Sequence, residues 1–301
     1  MPASTTKHND TLNAGNVVRA VPRHDRLELA PKAGRYALCV FVINEGERLL
    51  TQLERMRPWS SVVDIVVADG GSVDGSTEPG RLASLGVNTL LTKRDVGKLG
   101  SQMRMAFAFA LERGYEGVIV MDGNNKDGPE AIPAFVKALD SGVDHVQGSR
   151  FVPGGRAINT PTARYWGVRL LHAPLLSAAS RHRHTDTTNG FRAYSGRLLR
   201  DARIAVFRDV FTSYELHYYL ALRSARLGFR MCEIPVTRAY PPHGPTPSKI
   251  HGLSGNLGIL KTLWRVCAGR FNPTAVEMQH ALETERMQAL GPAQAGTRRA
   301  A

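Results

Sequence analysis

The sequence predicts an α/β fold, with helices layered on both faces of a mostly parallel sheet. Three observations predict it. Short β-type runs alternate with segments of helical period across the first half of the chain. Polar motifs follow directly after the apolar runs, where a doubly wound sheet opens its crevice. A chain of 301 residues that is 43% hydrophobic also holds enough apolar side chains for one large core.

The elements follow in order. The opening stretch, 1–33, is rich in Ser, Thr, Asn and charge and reads as a loose tail. Strands are predicted at 37–43, 65–68, 87–91, 118–121 and 145–147, with helical segments between them. Across 100–113, Met103, Phe107, Ala110 and Leu111 recur at the spacing of one buried helix face. Asp127 is placed to cap a helix that Pro129 opens, with Ile132, Phe135, Val136 and Leu139 facing the core. A helix over 213–227 and an alternating strand over 230–236 complete a catalytic domain spanning 34–245. A proline-rich loop follows Tyr240. Then Ile250, Leu253, Leu257, Leu260 and Trp264, with Lys261, Arg265 and Arg270 nearby, predict a basic amphipathic helix within 246–275 and a tail over 276–301.

Composition narrows the partners. The chain carries 39 Lys plus Arg against 26 Asp plus Glu, a formal charge of +13, so an anionic partner is expected. The basic residues are scattered and match no zinc-finger, RNA-binding or basic-zipper spacing, so nucleic acid is not the expected partner. Cys39, Cys232 and Cys267 make neither a CxxC pair nor an even disulfide set, which fits a reducing, cytoplasmic setting. No segment is apolar for long enough to cross a bilayer, so any membrane contact is expected to be peripheral.

The chemistry lies at three strand exits. Asn44-Glu45 follows the first strand, Asp69-Gly-Gly-Ser-Val-Asp-Gly-Ser76 the second, and Asp122-Gly-Asn124 the fourth. Carboxylates at the first turn repel a pyrophosphate, which argues against a dinucleotide-binding fold. They suit a nucleoside, whose hydroxyls and base N–H groups need acceptors, while Gly70, Gly71 and Gly75 permit tight turns beside it. Asp122 and Asn124 offer oxygens to a hard divalent cation such as Mg2+ or Mn2+, which commonly links carboxylates to substrate phosphates.

Six blocks in order resemble the family 2 glycosyltransferases of the GT-A fold, and within them the dolichyl- or polyprenyl-phosphate sugar synthases. These are Val42–Glu45 as a VINE block, the Asp69–Ser76 loop, Gly97-Lys-Leu-Gly100, Asp122–Glu130, Gly148-Ser-Arg150 and Thr185-Asp-Thr-Thr-Asn-Gly-Phe-Arg192. The resemblance spans about residues 36 to 240. It implies an inverting transfer from a UDP- or GDP-linked sugar. It also implies that Asn44, Glu45 and Asp69 meet the nucleoside, that Asp122 binds metal, and that Arg150 and Arg192 hold phosphates. The full expected donor set is Asn44, Glu45, Asp69, Gly71, Ser72, Asp74, Lys98 and Gly123; Asp122, Asp186, Arg150 and Arg192 are the expected catalytic residues. Gly70 and Asn124 stand where the family has aspartates, and Lys126 where it often has glutamine. An amide is a weaker ligand than a carboxylate, and a lysine beside the site can itself pair with the diphosphate.

The acceptor decides the remaining mechanism. A hydroxyl acceptor requires a carboxylate to take its proton, for which Asp186 and Glu215 are the candidates; a lipid phosphate is already anionic and requires none. The lipid phosphate is favoured, with a soluble hydroxyl acceptor as the alternative and, from a different class, a basic nucleic-acid-binding or scaffold protein as the rival reading of the +13 charge. The apolar stretch from Tyr165 to Leu176 and the basic helix point to peripheral association at the inner face of a membrane, or to docking on the domain itself. His172, His182 and His184 lack metal-site spacing and are expected to be solvated or close to phosphate.

Overall fold

A computed structural model describes residues 20–242 and 252–283. In chain order the first half contains β1 (His24–Glu28), β2 (Tyr36–Val42), α1 (Glu47–Met56), β3 (Asp64–Asp69), α2 (Pro79–Ser84), β4 (Val87–Lys93), α3 (Leu99–Glu112), β5 (Gly117–Asp122) and α4 (Ile132–Asp140). The second half contains β6 (His145–Ser149), β7 (Arg156–Ile158), α5 (Thr162–Gly167), α6 (Ala173–Ser180), β8 (Arg192–Ser195) and α7 (Gly196–Arg200). It closes with α8 (Glu215–Arg226), β9 (Met231–Pro235), β10 (Thr237–Ala239) and α9 (Gly252–Cys267).

Eight strands form one sheet in the order β1-β4-β3-β2-β5-β8-β6-β9, and β7 pairs with β10 in a small parallel ladder beside it. The central block β4-β3-β2-β5 is parallel; β8 runs antiparallel between β5 and β6. Successive side chains on a strand face opposite sides, and the two cores follow from that. Ala37, Cys39 and Phe41 of β2 pack with α3, α6, α8 and α9, whereas Leu38, Val40 and Val42 pack with α1 and α4. Both faces of β2 are thus covered, which is why its seven residues are all buried. The result is the expected α/β/α sandwich.

Several local expectations change. The span read as a loose tail contains β1, which pairs antiparallel with β4, and Ala20 N–H donates to the Phe207 carbonyl. Asp127 does not cap the helix after it: the residue before that turn is Gly128, without a side-chain cap, and Asp127 is buried against Arg238. Between α5 and α6 the helix widens to a π-turn over Val168–His172. Pro174 explains the interruption, since it has no N–H to offer the Leu170 carbonyl one turn back. Among the described side chains of α9 the buried ones are Leu263 and Val266, while Leu257 and Trp264, expected on the apolar stripe, are exposed. Ile250 and most of the proline-rich loop lie outside the described residues, as does the end of the chain.

Candidate active site

Register brings the three acidic exits to one edge of the sheet. In the ladders of β2, Val42 stands opposite Asp69 and Phe41 opposite Asp122. Gln102 on α3 locks this edge, its Nε2 donating to the carbonyls of Val42 at 2.8 Å and Ala68 at 2.9 Å.

The two donor loops are tied to each other. Asp69 accepts from Ser72 N–H and its hydroxyl, and the Ser72 Oγ in turn accepts from Asn44 N–H at 2.9 Å. Asn44 Oδ1 accepts from Val73 N–H, and Asn44 holds a left-handed φ of 48° to do so. Asp74 accepts from Gly46 N–H at 2.8 Å and from the Ser76 N–H and hydroxyl, and those hydrogen bonds, the Ser76 hydroxyl first, keep its carboxyl below the usual range. Asp69 and Asp74 therefore organise the loops on which Gly70 and Glu45 face the cavity.

That cavity has a volume of about 840 Å³. Its polar lining includes Glu45, Lys98, Asp122, Asn124, Lys126 and Arg238, and its apolar lining includes Val168, Leu171, Leu257, Ile259 and Leu260. Asn44, Asp69, Gly71, Ser72 and Asp74 lie beside it in the interlocked loops. At Gly123 a Cβ would come within 2.4 Å of Val42 Cγ1, so glycine lets β5 leave the sheet so close to β2.

Asp122 is the centre of the polar wall. Its Oδ2 accepts from Arg238 Nη2 at 3.1 Å and from Asn124 Nδ2 at 3.4 Å. Burial works to raise its pKa, but the neighbouring Arg238 and Lys126 prevail and hold the carboxyl below its ordinary value. Gly190 closes on the other oxygen, since a Cβ at that position would lie 3.1 Å from Asp122 Oδ1. The Thr185–Arg192 block is thereby folded onto Asp122, with Thr187 and Thr188 in the cavity wall.

Of the expected catalytic residues, Arg150 and Asp186 lie off the cavity and Arg192 reaches its wall. Arg150 and Asp186 are buried against each other in a two-pronged pair, Nε to Oδ2 at 2.7 Å and Nη2 to Oδ1 at 2.9 Å, and neither lines the cavity. Burial opposes ionisation of Asp186, yet the Arg150 guanidinium keeps its carboxyl depressed, the opposite of what a general base needs. Arg192 reaches the cavity wall, but its Nε, Nη1 and Nη2 donate to the carbonyls of Asn189, His217 and Thr187. It is a strut holding the Thr185–Arg192 block to α8. Glu215, the other candidate base, accepts from the N–H groups of Thr212 and Ser213 and tethers the approach to α8. His184 is buried beside Ser180 rather than solvated. Among the described residues, no three His, Cys, Asp or Glu side chains gather as a metal cluster.

Arg238 carries much of the site and gave no signal in the sequence. It stands in an ordinary strand pattern, more than a hundred residues from Asp122, and only the pairing of β10 beside β7 brings it there. His217, Tyr214 and Arg164 reach the wall in the same way, from α8, the turn before it and α5.

An α/β/α sandwich with acidic strand exits opening on one cavity defines a class, the GT-A glycosyltransferases, and solved structures agree with it. The glucosyl-3-phosphoglycerate synthase of Mycobacterium tuberculosis, in complex with Mn2+, UDP and phosphoglyceric acid, superposes with a TM-score of 0.57 at 16% identity, covering 80% of each chain. The same enzyme with Mg2+ and UDP gives 0.55 at 17%. No protein-family model matches. By sequence, the undecaprenyl-phosphate mannosyltransferase of Micrococcus luteus is 32% identical over 232 residues, 75% of this chain and 91% of that protein. The polyprenol monophosphomannose synthase of Mycolicibacterium smegmatis is 29% identical over 199 residues, 64% of this chain and 73% of that one. The chain belongs to the family 2 glycosyltransferases, among the polyprenyl-phosphate sugar synthases.

Proposed function

We propose that this enzyme transfers a sugar from a nucleotide-diphosphate donor, UDP- or GDP-linked, to a polyprenyl phosphate. The observation that carries the reading is the mixed lining of the cavity: the charged Asp122, Lys126 and Arg238 together with the apolar Val168, Leu171, Leu257 and Leu260. Charged groups suit a diphosphate and apolar side chains an isoprenoid chain. Mannose is the sugar in both relatives' names.

The locked state of Asp186 and Glu215 favours a phosphate acceptor over a hydroxyl. A phosphate oxygen attacks the anomeric carbon without giving up a proton, so no free carboxylate base is needed. On this reading Arg164, whose Nη1 donates to the Tyr240 hydroxyl at the cavity wall, supplies charge for the acceptor phosphate. Glu45 and Gly70 meet the nucleoside, and Lys98 stands at the diphosphate side. A single displacement inverts the anomeric centre.

A divalent ion fits one feature of the site. Asn124 Oδ1 is buried and accepts no hydrogen bond, two residues from the Asp122 carboxylate, and hard cations take such oxygens. Asp122 and Asn124 would hold Mg2+ or Mn2+, which when bound helps neutralise the departing diphosphate.

Membrane contact belongs to the same reading. Trp166, Leu170 and Leu171 on the α5–α6 segment and Leu257 and Trp264 on α9 are exposed, and Leu171 and Leu257 also line the cavity. Arg169, Lys261 and Arg265 accompany them. No helix among the described residues is long and apolar enough to cross a membrane. On this reading the exposed apolar side chains and the basic residues beside them hold the enzyme peripherally at the inner face of a membrane. The test is transfer from radiolabelled UDP- and GDP-sugars to polyprenyl phosphate in anionic vesicles. Lipid-extractable product supports the reading; transfer to a soluble hydroxyl acceptor alone, with none to the lipid, overturns it.

A further inference from the structure

We infer that Lys126 and Arg238 hold the donor's diphosphate with their own charge, so that nucleotide binding at this site survives the removal of divalent ions. The inference rests on the donor reading above and deepens it.

Geometry carries the first part. Lys126 and Arg238 are each only 5% exposed, yet both line the cavity next to Asp122. Arg238 is held from behind by Asp127 through Nη1, leaving Nη2 on Asp122 at the cavity side. A guanidinium fixed in this way loses little freedom when it engages a phosphate oxygen. The Lys126 ammonium lies over the Tyr240 ring, 5.2 Å from its centroid, and Lys126 carbonyl accepts from Ala239 N–H. Both cations are therefore built into the β10 side of the site rather than waving in solvent.

Charge balance carries the second part. Among the described residues, the cavity lining carries six arginines and lysines against two carboxylates, Glu45 and Asp122, with Asp127 a third behind Arg238, so the balance stays cationic. Such a cavity already favours a dianion before any metal enters. The ligand set points the same way. The protein offers an ion one carboxylate, already shared with Arg238, and one amide oxygen. Lys126 puts a cationic side chain four residues beyond Asp122, where the family resemblance expects a neutral glutamine. A cation there repels a dication and attracts the diphosphate, which weakens metal binding while replacing its electrostatic task.

Isothermal titration of the full chain with UDP and with GDP, each in Mn2+ and in EDTA, tests this. The expected result is that one nucleotide binds in EDTA within about tenfold of its affinity in Mn2+. Lys126→Gln should weaken binding in EDTA by more than about tenfold while largely retaining binding in Mn2+. The double variant Asn124→Asp/Lys126→Gln should bind nucleotide only with Mn2+, and its thermal melt shows whether it is folded. Wild-type binding that disappears in EDTA, or Lys126→Gln binding that is unchanged there, overturns the inference and leaves the donor reading standing. Failure of both nucleotides to bind in either condition overturns the donor reading and this inference with it.

Discussion

Asp186 shows how far a residue's environment departs from what its motif implies. Its position in a Thr-Asp-Thr-Thr-Asn-Gly-Phe-Arg block made it a candidate base, but both its oxygens are engaged by Arg150 and it is fully buried. Removing one member of such a pair leaves the other charge stranded. Asp186→Asn is therefore expected to cost about 3–5 kcal/mol of stability, read from the urea midpoint. Because the folded carboxyl is depressed, the pair's contribution is complete above the ordinary carboxylate pKa and is lost as pH falls through the lowered value. A variant of unchanged stability with abolished turnover would instead assign Asp186 the role of base. Asp122 was legible from sequence because a short apolar strand ending in Asp-Gly-Asn puts its oxygens at the sheet edge. Arg238 was not: nothing local distinguishes an arginine that faces solvent from one that a distant strand pairing buries beside a carboxylate.

At the scale of elements, the strands buried on both faces were readable because their side chains are apolar throughout. Strand β1 escaped because an edge strand has no such requirement: His-Asp-Arg-Leu-Glu offers only Leu27 to the core. Helix α9 was located by period but phased incorrectly, since Leu260 serves either phase and Leu263 and Val266 were passed over. The consequence is a helix with two apolar faces. Leu263 and Val266 anchor it to the domain, and Leu257 and Trp264, seven residues apart and so on one side, face outward. The two faces separate experimentally. Leu263→Ala is expected to cost about 2–5 kcal/mol of stability. Trp264→Glu, at a residue 57% exposed, should leave stability within about 0.5 kcal/mol and reduce flotation with anionic vesicles. If Trp264→Glu floats like the wild type, the outward face does not meet a membrane.

The whole molecule combines a net charge of +13 with a set of histidines buried without charge, and the two set its response to acid. His145, His184 and His217 lie in the second half of the domain around Arg192. His145 has both ring nitrogens buried without a hydrogen-bond partner. Burial, reinforced by the Arg192 guanidinium, pushes all three below the ordinary imidazole value, His184 to about 3. Folded pKa values below the unfolded ones mean that the unfolded chain takes up more protons as pH falls. Stability is then complete above the unfolded value and declines below it. Each group contributes a loss of about 1.4 kcal/mol per pH unit once the pH is well below about 6.5. The decline begins near pH 6.5, far above the window in which the Asp186 pair titrates, so the two are separable in one pH series. Calorimetric melts at constant ionic strength are expected to show a falling melting temperature from pH 7 to pH 5. His145→Gln, which removes one of the three protons, should flatten that slope. A melting temperature that is constant across the interval would mean that these rings are already charged in the folded protein, and that the packing around Arg192 is looser than described.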